Sequence, residues 1–226
     1  MSGIAGTLTP MTNPTLTTDP RPAYLAALDW VADLARAVPA DRMADPTPCD
    51  GFDVRTLLAH LVTTLRRPAS IAAGTDPLAH PVVSEDVLDD PATAYVAEAA
   101  ALKAAWAAPE GEALLDRVAR LPFGEVAART ALTVFLNETL VHGWDLAVAT
   151  GQAPEADPDL ATTALATARV FLPAEPRGGP VPFGPVVEHR PGGGTDRAAG
   201  QLVGPGVDGL GVDGRVTTGR AGRRRD

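Results

Sequence analysis

A chain of 226 residues with 45% apolar side chains can bury a core of ordinary size within one domain. Aromatic residues make up only 4% and the formal net charge is −9. The first favours close-packed helices, and the second argues against a nucleic-acid partner, because phosphate binding needs a basic surface.

Residues 1–18 are rich in Thr and Pro, with no positive start and no continuous apolar stretch. They read as a flexible tail rather than a signal peptide. A first helix is expected from Asp19-Pro20, an N-cap followed by proline. Leu25, Leu28, Val31, Leu34 and Val38 recur at helical spacing as its buried face, and Pro39 closes it. Residues 41–52 form a connector, after which Asp53 caps a second helix over 54–73. Leu57, Leu58, Leu61, Val62 and Leu65 are its apolar stripe, and His60 sits beside that stripe rather than on the polar face.

Residues 74–90 read as a surface loop able to flank a cleft. A third helix over 92–108 contributes Tyr95, Leu102 and Trp106 to the core. Val118, Leu121 and Phe123 suggest one short extended segment before Gly124. The fourth helix spans 126–150, with Gly151 at the position that favours a left-handed cap. A fifth covers 159–171 and ends before Pro173. From His189 to Asp226 the pattern changes: 38 residues hold eleven of the 22 glycines, carry +3 against −12 for residues 1–188, and lose helical periodicity. This stretch is expected to be disordered, or to be the product of a reading-frame shift near His189. The domain proper is therefore expected over 19–187, with 188–226 as an irregular Gly/Arg-rich tail.

No run of 18 apolar residues occurs, so no transmembrane helix or membrane partner is expected. The single cysteine, Cys49, excludes an internal disulfide framework and fits a reducing, cytoplasmic setting. It reads as a buried structural residue. Phosphate loops, nucleophile elbows and paired cysteines are absent from the sequence.

The chemistry-bearing stretch is Asn137-Glu-Thr-Leu-Val-His-Gly-Trp-Asp-Leu-Ala-Val-Ala-Thr-Gly-Gln152. Glu138 and His142 are four apart, on one face of a helix, where a carboxylate and an imidazole can hold one ion together. A third ligand must come from elsewhere. Of the four histidines, His80 lies in a loop and His189 at the start of the Gly-rich tail, whereas His60 and His142 both sit mid-helix beside apolar stripes. His60, Glu138 and His142 then form a two-histidine, one-carboxylate set on two helices. With an open fourth position, such a set suits catalytic zinc, and it also suits iron, nickel or manganese. Asp145, three residues after His142, can accept a hydrogen bond from the ligand ring and orient it. The alternatives stay open at this point: hydrogen-bonded core histidines and a solvated Asp145. Trp144 reads as core packing, and Gly143 as a site of close helix approach or of room for a ligand.

Two segments carry a resemblance. Thr47-Pro-Cys-Asp-Gly-Phe-Asp-Val-Arg-Thr-Leu-Leu-Ala-His-Leu-Val62 and Glu138-Thr-Leu-Val-His-Gly-Trp-Asp-Leu-Ala-Val-Ala-Thr-Gly-Gln152 resemble the two signatures of the mycothiol-dependent maleylpyruvate isomerase N-terminal family. The likeness covers about residues 19–187 and is closest to short actinobacterial members known only as metal-binding proteins. Phe52 stands where tryptophan is usual and Asp50 where proline is common. The resemblance implies an all-α, DinB-like four-helix bundle binding a divalent metal, usually zinc, through His60, Glu138 and His142. It implies mycothiol, a low-molecular-weight thiol, as co-substrate in isomerisation or S-transfer on a small electrophile, with the metal lowering the proton affinity of the thiol. The isomerase proper has a further C-terminal domain that supplies an active-site arginine, for which these 226 residues leave no room. Isomerisation of maleylpyruvate itself is therefore not expected. A non-catalytic metal-binding module and a metal-dependent hydrolase with Asp145 as base are the competing functions.

Overall fold

The computed structural model describes residues 19–108 and 111–171. The tails 1–18 and 188–226 expected from the sequence, and His189, lie outside them. The described residues are mostly helical: α1 (Arg21–Arg36), α2 (Val54–Ala73), α3 (Pro91–Ala107), a single turn α4 (Gly111–Leu114), a hairpin of β1 (Val118–Leu121) and β2 (Gly124–Ala127), α5 (Ala128–Thr150) and α6 (Pro158–Phe171). Among them no helix is long and apolar enough to cross a membrane.

The helix ends follow local chemistry. Asp19 accepts the backbone N–H of Arg21 at 2.9 Å at the entry to α1. Asp53 accepts that of Thr56 at 2.8 Å at the start of α2, satisfying a donor the helix itself leaves free. Gly74 and Gly151 end α2 and α5 in the left-handed region, with φ of 76° and 71°. Gln152 then donates to the carbonyl of Leu34 at 3.0 Å, tying the end of α5 to the end of α1.

α2 packs on α3 and on α5, α1 packs on the same two helices, and α6 lies against α5. The core between them is built from Leu28, Val31, Leu57, Leu61, Tyr95, Trp106, Leu132, Phe135 and Leu136, all fully buried. On α1 Leu28, Val31 and Leu34 are buried as expected, and the buried face is wider than that stripe. Tyr24 and Ala27 are buried, while Leu25 and Val38 are only half-buried. Both α3 and α5 pack on this face, so small and aromatic residues serve alongside the leucines.

Three expectations need correction. Residues 118–127 are a two-stranded hairpin rather than one extended segment. Val126 pairs with Ala119 in that ladder, so α5 begins at Ala128, two residues later than its apolar period suggests. Ala119, Leu121 and Val126 face the core, while Val118 and Phe123 are exposed. Trp144 is half-buried rather than a core residue. Its neighbour Gly143 carries the close approach instead, because a Cβ there would run into the Trp30 ring and Val31 of α1.

Candidate metal centre

α2 and α5 pack together so that His60 from one faces Glu138 and His142 from the other. One ligand atom from each of the three lies within 4.8 Å of the other two, and all three side chains are buried, at 4%, 8% and 6% exposure. The His60 and His142 rings meet edge to face with centroids 4.9 Å apart. His80 stands apart from this group, with its Nε2 2.8 Å from the Ser70 hydroxyl.

Each ring is held by its Nδ1 atom. His60 Nδ1–H donates to the carbonyl of Val82 at 2.7 Å. His142 Nδ1–H donates to Asp145 Oδ2 at 3.0 Å. Both bonds fix the tautomer that leaves Nε2 for an ion, the usual way ligating histidines are oriented. Val82 is kept in place by its neighbour Ser84. The Ser84 amide donates to the Ala59 carbonyl at 3.3 Å, and its buried hydroxyl is 2.8 Å from that of Thr63 and accepts from Arg66 at 3.1 Å. Thus the 74–90 loop supplies a site-building carbonyl, a role its acidic, proline-containing composition does not reveal.

The residues ahead of α2 close the other side. Thr47 donates its hydroxyl to the Phe52 carbonyl at 2.8 Å, Pro46 bridges Asp53, and Gly51 turns the chain at φ 80°. This tight turn sets the Phe52 ring 5.5 Å from the His60 ring. It also brings Cys49 up to His142 and Asp145: one ligand atom each from Cys49, His142 and Asp145 lie within 4.8 Å of one another. Sequence reading missed that placement, because Cys49 comes from a loop and no spacing rule links it to residues ninety positions on.

The electrostatics single out His142. Burial works to lower its pKa, but the carboxylates of Asp145 and then Glu138 outweigh it and hold the imidazolium up to about 10. Glu138 Oε2 is 3.2 Å from His142 Nε2. Burial would raise the Glu138 pKa, yet the hydrogen bond from His142 keeps it below the usual carboxylate value. Burial, and next the charge of His142, push His60 down to about 4, so it is neutral at pH 7. Arg67, buried at 2% exposure on α2, adds positive charge felt by both His60 and Glu138. Without an ion the site therefore holds one proton between His142 and Glu138. A divalent cation can take that proton's place, facing one neutral imidazole, one further imidazole and a carboxylate, which is a donor set that fits zinc and other first-row metals.

Comparison with known proteins follows the same residues. Residues 24–147 match the family described as the mycothiol maleylpyruvate isomerase N-terminal domain. Uncharacterized proteins of Mycobacterium tuberculosis from strain CDC 1551 / Oshkosh and from strain ATCC 25618 / H37Rv are each 35% identical over 166 residues, covering 73% of this chain and 86% of their own. No solved structure matches the chain. The matched span contains both helices that carry the buried histidines and Glu138, and the chain belongs to the mycothiol maleylpyruvate isomerase N-terminal domain family.

Proposed function

We propose that this chain is a DinB-like four-helix bundle, formed by α1, α2, α3 and α5, that binds one divalent metal, zinc first among them, through His60, Glu138 and His142. It acts in the cytoplasm with a low-molecular-weight thiol, mycothiol, in transfer to or isomerisation of a small electrophile. The observation that carries this reading is the convergence of three buried donor atoms within 4.8 Å, with the Nδ1 of each ring already engaged.

A bound metal would supply Lewis acidity, which lowers the proton affinity of a thiol brought to it. The chain's own residues do the rest. Asp145 holds the His142 ring by accepting from Nδ1, and the Val82 carbonyl does the same for His60. Phe52 covers the His60 ring and limits water there. The buried Arg67 charge favours an anionic thiol or substrate close to the triad. Asp145 bears on the hydrolase reading as well. Its Oδ2 is committed to His142, so it is poorly placed to serve as a general base on an open coordination side.

The test is a titration of the cobalt-substituted protein with mycothiol, followed through the cobalt–thiolate charge-transfer band. A thiol-dependent band that saturates supports the proposal. Metal uptake with no spectral response to the thiol would leave a non-catalytic metal-binding module.

A further inference from the structure

We propose a second cation position, on the other nitrogen of the His142 ring, built from Cys49, Asp145 and His142 Nδ1 and selective for a thiophilic ion. The three side chains are buried at 5%, 7% and 6% exposure, and one ligand atom of each lies within 4.8 Å of the others. Two of them already meet, with Nδ1 and Asp145 Oδ2 3.0 Å apart. The third is brought by the Thr47–Phe52 turn, which is held by the Thr47 hydroxyl, the Pro46–Asp53 bridge and the backbone of Cys49.

This donor set differs in kind from the first. His60, Glu138 and His142 Nε2 offer only nitrogen and oxygen. Cys49 adds sulfur, a soft ligand that favours cadmium, copper(I) and zinc over magnesium or manganese. Thiolate and carboxylate together neutralise a divalent ion, which a buried site needs. On binding, the ion takes the place of the proton on Cys49 Sγ and the proton on His142 Nδ1. Both are released to water and no oxidation state changes. The position shares the His142 ring with the centre proposed above and takes over its bond to Asp145, but His60 has no part in it, so His60→Ala tells the two apart.

The experiment is a cadmium titration of the chelator-treated full chain, read by the near-ultraviolet cadmium–thiolate band, with far-ultraviolet circular dichroism to confirm folding. Expected are a saturating band in the wild type and in His60→Ala, no band in Cys49→Ser or Cys49→Ala, and at least about tenfold weaker binding in Asp145→Asn, the low end of the loss seen even when a carboxylate that only supports a metal site is replaced. Cobalt binding at the His60 set should persist in Cys49→Ser, because those three ligands are untouched. The proposal is overturned by absence of a band in the folded wild type. A band of unchanged midpoint in Asp145→Asn would also overturn it, since the thiol would then be binding alone.

Discussion

His142 Nδ1 lies 3.0 Å from Asp145 Oδ2, and both side chains are buried less than one helical turn apart on α5. That pair aims the opposite ring nitrogen at Glu138, 3.2 Å away, on the side that His60 approaches from α2. One hydrogen bond thus decides which nitrogen of His142 looks into the three-residue site.

Removing the charge at Asp145 while keeping its shape should weaken the site without dismantling it. Asp145→Asn is expected to lower zinc affinity by roughly 10–100-fold, the range seen when partners of ligating histidines are replaced. Competition against a chromophoric chelator measures this. Unchanged affinity would mean that Asp145 does not orient His142.

The stability of the metal-free protein should fall on both sides of neutrality, for different reasons. His60 has a folded pKa of about 4 against an ordinary 6.5, so the unfolded chain binds more protons between those values and stability is lost as pH falls through that window. His142 has a folded pKa of about 10, so its contribution is fully present below about 6.5 and is lost as pH rises through about 10. Each group changes stability by at most roughly 1.4 kcal/mol per pH unit. Urea unfolding of chelator-treated protein at pH 4.5, 7 and 9.5 checks this. Equal stability at pH 7 and 9.5 would show that His142 is not held as an imidazolium.

Metal binding at pH 7.5 should release about one proton per ion, because the cation displaces the proton held between His142 and Glu138. Calorimetry in two buffers of different ionisation enthalpy reads the number directly. Zero protons released would contradict the charge state derived for the site.

Gly143→Ala pits two effects against each other. Alanine in a helix interior gains up to about 1 kcal/mol over glycine. The added Cβ, however, meets the Trp30 ring and Val31, and overpacking of that sort costs roughly 1–3 kcal/mol. Net destabilisation is expected, and a second change, Trp30→Ala, should recover part of it. If Gly143→Ala raised the melting temperature, the α1–α5 contact would be looser than described.

The helices were legible in the sequence because their ends are written in single residues. Asp53, Gly74 and Gly151 each mark a boundary through one hydrogen bond or one left-handed backbone position. The hairpin was not legible. Val126 continues the apolar period of α5, and only its pairing with Ala119 assigns it to a strand. Within the candidate site, Glu138 and His142 could be grouped by helical spacing, and His60 by elimination among four histidines. The carbonyl of Val82 and the sulfur of Cys49 could not, since both come from loops whose course depends on tertiary anchors such as Ser84 and Thr47.

The central claim is a metal centre built on three named side chains, and bound-metal analysis of the purified protein tests it most directly. In a Cys49→Ser background, which removes the second position proposed above, the chain should hold one divalent ion after removal of loosely bound metal. In that background His60→Ala, Glu138→Ala and His142→Ala, each confirmed to be folded, should hold almost none. Full stoichiometry in His142→Ala would contradict the account at its base.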